Sequence, residues 1–467
     1  MTEPLLAGAT RREEPRVGAR HPAEAASRLF GHMAALPGEP KPTTVVARLT
    51  LARDPGADQV KAAVLSRLRR VPRFRSKLVV GWWGGHFEEV ALDEAYHFRV
   101  VDCGAAGLTH DEVNRVVEEQ STKPLDLSRP LWRLLYVPRT VDGGAVGILV
   151  VSHAIGDGAA LMHVLVHVAC DATDAEEQKL ALQHAKRAEP PAMGWLRFLR
   201  VFLWGVVEGF FSPMFRPDPQ NPLKMAKATP AKRVATAAEP VALDRIKRVA
   251  RAAGAGVTVN DVILAVFTRM VRRFFVARGH PEACRRLVRA QIPMDMRRAG
   301  EPRVQPGSGD PFNKFAFGML RLPMDDASCE TPLKTIAAVT ANVEEVKVSP
   351  APHIQLAILP GSVKTVPRAT LSETLYAAAN LPTFCISCPV GPSVVQHFLG
   401  VPIKRFEFNL FTGMSAYVSV LSYAGAVTLG VNLDAGLGVD PGELTELWAD
   451  EFGKVEAALV AGEAAAR

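Results

Sequence analysis

Hydrophobic and polar positions change period several times along the chain, and each change marks an element. TTVVARLTL (Thr43 to Leu51) alternates with period two and predicts a half-buried strand. DQVKAAVLSRLRRV (Asp58 to Val71) repeats its apolar residues at three- and four-residue spacing and predicts a helix. AVGILVVSH (Ala145 to His153) is a Val/Ile-rich run of strand length, and ALMHVLVHV after it returns to helical spacing. Further on, TVNDVILAVFTRMVRRFF predicts a helix, AYVSVLSY and AVTLGVNL a pair of hairpin-like strands, and PGELTELWADEFGKVEAALV a closing helix. Polar and Pro/Gly-rich stretches divide these elements into two mixed α/β blocks. The predicted division is a disordered tail over 1–42, one block over 43–185, an amphipathic helix and crossover linker over 186–233, and a second block over 234–467. The tail mixes Arg, Glu, Ala and Pro without an apolar run, so no secretory signal is expected in it.

One segment has the length to meet a bilayer. Trp195 to Phe215 (WLRFLRVFLWGVVEGFFSPMF) carries Arg197, Arg200 and Glu208 inside it, and such charges are costly at a bilayer centre. On a helix the three fall within ~80° of one another, which leaves a broad face of Phe198, Leu199, Phe202, Val206 and Phe210. That pattern suits a helix lying in a membrane interface, or packed on another domain, better than one crossing the membrane.

Composition narrows the classes. The 467 residues are 48% apolar and 22% charged, near the average of soluble globular chains, which argues against general disorder and against a multi-span membrane protein. Six cysteines are too few for a disulfide scaffold of this length and suit a reducing compartment. The net charge of +7 is unevenly spread. Between Arg216 and Arg303 stand 19 Lys/Arg against 7 Asp/Glu, a local +12 that leaves the rest near −5. Basic charge beside an aromatic amphipathic helix predicts a lipid surface or the phosphates of a CoA-type substrate, or a merely solvated face. Without zinc-finger spacing or a basic-aromatic RNA-binding signature, no nucleic-acid partner is expected.

The candidate chemistry gathers at one strand end. His153 closes a predicted strand and AIGDG turns into a helix, a place where a side chain is held rigidly and can face a cleft. A neutral imidazole there can take a proton from a hydroxyl or amine attacking an acyl carbon. The same residue also reads as an ordinary histidine at an element boundary. Asp157 is placed to cap the following helix, which fixes the turn that aims His153, and Gly158 removes a side chain where backbone or ligand must approach. His163 and His167 lack an intervening Glu and sit among Val and Leu, so packing is expected of them. The lone CxxC of Cys385 and Cys388 would leave zinc two ligands short, and no metal site is expected. GxSxG, GxxxxGK[ST] and GxGxxG are all absent, which removes support for acyl-serine, NTPase and dehydrogenase chemistry.

Several pieces in order carry a resemblance. PLDLSRPLW (Pro124 to Trp132) precedes SHAIGDG (Ser152 to Gly158), NDVILA (Asn260 to Ala265) follows, and CPVGPSVVQHFLGVPI (Cys388 to Ile403) leads to a terminal unit with VNLDAG. From about residue 43 onward this resembles the bifunctional wax ester synthase/diacylglycerol acyltransferase family, within the chloramphenicol acetyltransferase-like superfamily. The resemblance implies two α/β domains of that kind, each a mixed sheet flanked by helices, with an active-site tunnel between them. It implies transfer of a long-chain acyl group from acyl-CoA, a co-substrate and not a cofactor, to a fatty alcohol or a diacylglycerol. His153 matches the family's general base and Asp157 the motif Asp that holds the loop. Gly158 completes the motif, Pro130, Leu131 and Trp132 match a triplet read as packing near the site, and Asn260 and Asp261 match a pair at a helix start. Their other reading is capping, with Thr258 as N-cap and Asp261 in a capping box. Together with the 195–215 helix, the family implies a protein on the cytoplasmic side of a membrane, the endoplasmic reticulum or a lipid droplet. The chain departs from the family pattern in its N-terminal tail, which does not resemble the family's usual opening, and at two motif positions. Ser152 stands where the family has a first His in HHxxxDG, and Ser387 to Pro392 lacks the Asn of the SNVPGP-like segment. Both leave open a different hydroxyl or amine acceptor, or a non-catalytic acyl-CoA or lipid-binding homologue.

Overall fold

A computed structural model describes residues 17–35, 43–81, 84–171, 217–298 and 300–465. The predicted amphipathic helix at 195–215 lies outside them. In chain order the strands are β1 (Arg20–Pro22), β2 (Thr44–Leu51), β3 (Ser76–Val80), β4 (Gly85–Glu89), β5 (Phe98–Val100), β6 (Trp132–Val137), β7 (Ala145–Ser152) and β8 (Lys232–Thr236). They continue as β9 (Val241–Ala242), β10 (Arg289–Asp295), β11 (Phe315–Arg321), β12 (Phe384–Ser387), β13 (His397–Phe398), β14 (Val401–Phe411), β15 (Ala416–Tyr423) and β16 (Ala426–Asp434). The α-helices of the first half are α1 (Ala25–Ala34), α2 (Ala57–Leu68), α3 (Glu94–His97), α4 (His110–Glu118) and α5 (Gly158–Val164). Those of the second are α6 (Leu243–Ala253), α7 (Val259–Ala277), α8 (Pro332–Val348), α9 (Ala351–Thr365), α10 (Arg368–Ala379) and α11 (Pro441–Ala465).

Both large sheets are mixed and flanked by helices. The first runs β13-β14-β2-β7-β6-β5, with only β5 and β6 parallel. The second runs β11-β10-β12-β15-β16-β8, with β12 parallel to both its neighbours and β9 added beside β16. Strand β7 lies inside the first sheet, where alternate residues feed two clusters: Leu149 and Val151 pack on the side of α2 and α5, Ile148 and Val150 with Val113 and Val117 of α4. Burial on both faces explains why its sequence is a continuous apolar run. In the second half α7 is buried over most of its length and packs with Trp448 and Phe452 of α11 against the second sheet.

Three expectations need correction. First, the sheets do not follow the division at 234. Strand β14 leaves the second block and pairs with β2 along its length, from Phe411 opposite Thr44 to Ile403 opposite Leu51. Its residues Ile403 and Phe406, on one face because the register shifts between Ile403 and Arg405, complete the first core, which the local block cannot close alone. Second, part of the supposed tail is ordered. β1 pairs with β4, and α1 buries Ser27, Arg28, Leu29, Gly31 and His32. Its few apolar residues find partners only far along the chain, so local composition understates its burial. Third, much of the basic stretch is paired, so only part of its charge remains as basic surface. Arg245 and Arg248 meet Glu456, Arg269 meets Glu451, Arg273 meets Asp450, and Arg272 and Arg285 meet Asp326. The compensating acids come from outside the stretch, so the local +12 is spent largely on carboxylates of the same molecule.

Candidate active site

His153 follows the last residue of β7 and is pinned on both sides by backbone. The Ser152 N–H donates to the carbonyl of Leu131 at the start of β6, and the His153 N–H to the carbonyl of Thr43 at the start of β2, each at 2.9 Å. His153 is only 9% exposed, and its imidazole lies between two phenyl rings, Phe30 of α1 at 4.7 Å and Phe315 of β11 at 5.1 Å between centroids. Three distant segments therefore meet at this ring. One of them, β11, belongs to the second sheet, which puts the site at the junction of the two sheets.

A polar cluster surrounds the inner ring nitrogen. Nδ1 of His153 lies 3.0 Å from Oδ1 of Asn313. The Asn313 amide nitrogen donates to the His153 carbonyl at 3.0 Å, to Ser27 Oγ at 3.2 Å and to Glu24 Oε1 at 3.3 Å. Glu24 is in turn held by the buried guanidinium of Arg73, with Nη2 2.6 Å from Oε2, and by the Asn313 N–H at 2.9 Å. Acceptors on one side leave the amide a single sensible orientation, with Oδ1 toward His153. An acceptor at Nδ1 means that this nitrogen carries the proton in the neutral imidazole. Nε2 then presents its lone pair, and among the described residues it makes no hydrogen bond and is not a sealed polar atom. Burial pulls the His153 pKa below the ordinary histidine range, opposed by the Asp157 carboxylate and the Asn313 contact. The Arg73 guanidinium, with hydrogen bonds from Arg73, Ser27 and Asn313, outweighs the strong opposing effect of burial and holds Glu24 below the usual carboxylate range.

The other end of the turn is held by charge. Asp157 caps α5 by accepting the Ala160 N–H at 3.0 Å, as its position before Gly158 predicts. Its second oxygen accepts from Nη1 of Arg297 at 2.9 Å and from the Lys314 N–H at 2.8 Å. Arg297 continues to the Phe312 carbonyl at 2.6 Å and to Asp295 at 3.2 Å, with its guanidinium over the Phe312 ring. Asp157 thus ties the motif turn to the loop that carries Asn313 and has no direct bond to the imidazole.

The remaining candidates divide. Leu131 and Trp132 are buried; the Trp132 indole N–H donates to the Phe74 carbonyl, and Pro130, Leu131 and Trp132 form the backbone edge against which Ser152 is registered. They support the site from one strand away. Gly158 is not the close-approach glycine of the turn, because an added Cβ there would meet nothing within 4 Å. Gly156 is: a Cβ at that position would stand 2.8 Å from Pro311 Cβ, so only glycine lets the 310–315 loop close on the turn. Asp261 forms a reciprocal capping pair with Thr258 at the start of α7, and no hydrogen bond or ring contact of Asn260 or Asp261 reaches His153 or Asp157 among the described residues. Cys385 and Cys388 are pushed up to about 12 by burial, which keeps both as thiols near neutral pH. Ser152 is buried, and its Oγ accepts the Ala154 N–H at 3.2 Å, a local bond within the turn. Glu24, Ser27, Phe30, Arg73, Arg297, Asn313 and Phe315 were not expected from the sequence; each comes from a segment without a motif.

The arrangement provides a fixed imidazole with an available lone pair, enclosed by apolar rings, and among the described residues no nucleophilic side chain is hydrogen-bonded to it. An imidazole so held can accept a proton from a hydroxyl brought to Nε2.

Comparison with known proteins relates the sequence and the fold to one family. Residues 33–212 match the model of the wax ester synthase/diacylglycerol acyltransferase catalytic domain, and residues 313–456 match the C-terminal domain of the same family. Wax ester synthase/diacylglycerol acyltransferase 4 of Arabidopsis thaliana is 23% identical over 430 residues, covering 84% of this chain and 82% of that protein. A putative diacylglycerol O-acyltransferase of Mycobacterium bovis is 27% identical over 307 residues, covering 60% of this chain and 57% of that protein. The fold is similar to that of the wax ester synthase/diacylglycerol acyltransferase from Marinobacter aquaeolei, with a TM-score of 0.58 at 17% identity over 93% of this chain and 98% of that one. It is also similar to the first condensation domain of the calcium-dependent antibiotic synthetase, with a TM-score of 0.59 at 14% identity over 95% and 97%.

Proposed function

We propose, from the premise that the chain belongs to the wax ester synthase/diacylglycerol acyltransferase family, that it is an acyl-CoA-dependent O-acyltransferase with His153 as general base. The acceptor is a fatty alcohol, a diacylglycerol or both. The observation that carries the role of His153 is the contact of Nδ1 with Asn313, which leaves Nε2 unprotonated. Nε2 takes the hydroxyl proton as the alcohol oxygen attacks the thioester carbonyl carbon. The C–S bond then breaks, the ester forms, and the imidazolium returns its proton to the departing CoA sulfur, which leaves as the thiol. The Asn313 oxygen accepts the Nδ1–H throughout, and the Asp157 carboxylate favours the transient positive charge. Phe30 and Phe315 keep water from the imidazole and favour an alkyl chain beside it.

Incubation of purified protein with labelled palmitoyl-CoA and either hexadecanol or a diacylglycerol, followed by lipid separation, tests the reading. Wax ester or triacylglycerol is the expected product. A panel that yields ester only with short or amine acceptors would move the assignment to another acceptor class. Acyl-CoA binding without any product would make the chain a binding homologue.

Association with a membrane or lipid droplet belongs to the same proposal. It rests on the aromatic face predicted over 195–215 and on exposed basic residues such as Arg251, Arg286 and Arg298, which have no ion pair among the described residues. Among the described residues no helix is long and apolar enough to cross a membrane. Deletion of Trp195 to Phe211 is expected to release the protein from anionic liposomes, and retained binding would contradict the interfacial helix.

A further inference from the structure

The two rings that enclose His153 stand on elements far apart in the chain, and one helix spans both. Phe30 belongs to α1 and Phe315 to β11; their rings are nearly parallel, at 6°, with centroids 6.3 Å apart. Strand β11 ends the second sheet, so among the described residues one of its edges has no strand beside it. Its ladder with β10 is antiparallel, and the bonds at the two ends, from the Met296 N–H to the Lys314 carbonyl and from the Leu322 N–H to the Val288 carbonyl, fall on even-numbered residues. Bonded pairs alternate with unbonded ones in such a ladder, so Phe315, Phe317 and Met319 turn their own N–H and C=O toward the open edge.

At Phe317 a side chain takes the place of the missing strand. Gln355 of α9 accepts the Phe317 N–H at Oε1 and donates from Nε2 to the Phe317 carbonyl, each at 3.0 Å. Tied twice to one residue, the amide has a single orientation. One and two turns further along the same face of α9, Leu359 and Val363 pack with Leu29 and Met33 of α1. Helix α9 therefore joins the two ring-bearing elements, by an apolar contact to α1 and by the Gln355 amide to β11. Phe317 in turn stands edge-on to Phe315, at 88° with centroids 5.3 Å apart, and Phe315 lies against the imidazole. Unpaired backbone groups call for water when no protein partner meets them. Without Gln355, such groups would open two residues from the ring that covers His153.

We propose that Gln355 is a positioning residue of the acyl transfer: its clasp on Phe317 holds the Phe315 wall over His153 and decides whether water or the acceptor hydroxyl meets Nε2. The inference rests on the acyl-transfer reading for its chemistry, whereas the clasp itself does not. With the wall loosened, a water oxygen attacks the thioester carbon in place of the alcohol. The C–S bond breaks, His153 passes the water proton to the CoA sulfur, and free fatty acid leaves instead of ester.

Gln355→Met keeps the length and helix preference of the side chain and removes both bonds. Two readouts on the full-length protein test the proposal, with Tm as the control for folding. Diethyl pyrocarbonate, which modifies neutral imidazole, is expected to label His153 about tenfold faster in Gln355→Met than in wild type, because two lost hydrogen bonds favour the open wall. Peptide mass spectrometry locates the label. With labelled palmitoyl-CoA and hexadecanol, the ratio of palmitate to hexadecyl palmitate is expected to rise by a similar factor. A residue that merely stabilises the fold would lower both products together and leave their ratio unchanged. Gln355→Glu, whose carboxylate still accepts the N–H but repels the carbonyl, is expected to shift both readouts in the same direction and replaces Gln355→Met if that variant does not fold. Unchanged labelling of His153 in the folded variant, or an unchanged product ratio, would overturn the proposal. Absence of ester from the wild type with every acceptor would instead overturn the acyl-transfer reading, and the labelling of His153 would still decide the clasp.

Discussion

The two ends of the turn from His153 to Asp157 are held by different kinds of bond. Asp157 is fixed by a buried ion pair to Arg297 and by backbone donors from two segments. His153 is fixed by a neutral amide, whose own orientation is set by the Glu24–Arg73 pair behind it. A carboxylate placed directly on Nδ1 would raise the imidazole pKa and favour the cation before reaction. The amide sets the tautomer and leaves the imidazole neutral. Charge at one end thus serves rigidity, and its removal to second rank at the other suits the proton transfer proposed for His153. The difference predicts that the two ends fail differently when broken.

The largest effect is expected at the charged end. Asp157→Ala takes from the buried Arg297 guanidinium its nearer carboxylate, leaving Asp295 as its counter-charge, and removes the cap of α5, so a loss of about 2–4 kcal/mol in unfolding free energy is expected in urea denaturation. A loss under 1 kcal/mol would show that the turn is not held there. Next comes Asn313→Ala, which lets the imidazole choose either tautomer. It is expected to lower kcat by about ten- to a hundredfold with KM within about threefold, a part of the usual general-base contribution. Equal loss in KM, or recovery only in stability assays, would reduce Asn313 to a structural residue. The pH dependence is subtler. Because burial lowers the His153 pKa, the acid limb of kcat/KM is expected below the ordinary histidine value of about 6.5. Asn313→Asp should move that limb to higher pH, by favouring the imidazolium. The smallest effect is on stability in mild acid. His32 and His97 are pulled down to about 4 by burial, so between about pH 6.5 and 4 the unfolded chain binds protons that the folded one refuses. Stability is therefore expected to rise with pH across that window, and a flat profile of Tm against pH would contradict it.

How much of this was legible in the sequence depends on sequence separation. The strand-turn-helix around His153, the Asp157 cap, the Thr258–Asp261 pair and the late hairpin are local patterns, and periodicity with capping chemistry finds them. The contacts that complete the site are not local: Asn313 meets His153 across 160 positions and Glu24 across 289. No period or spacing connects such residues, and Glu24 and Ser27 lie in a segment whose composition reads as a tail. The same blindness explains the basic stretch, whose excess could be counted along the chain while its acidic partners on α11 and at Asp326 could not be assigned. Gly156 and Gly158 show the limit at close range, since the motif contains both and only the packed loop reveals which one must lack a side chain.

The central claim is that Nε2 of His153 removes the acceptor proton, and it is tested most directly by an acceptor panel run with wild type and His153→Ala side by side. With labelled palmitoyl-CoA, hexadecanol and diacylglycerol, wild type should form ester and His153→Ala should turn over about a hundredfold more slowly or less, while binding acyl-CoA as before. Undiminished ester formation by His153→Ala would contradict the assignment of the base.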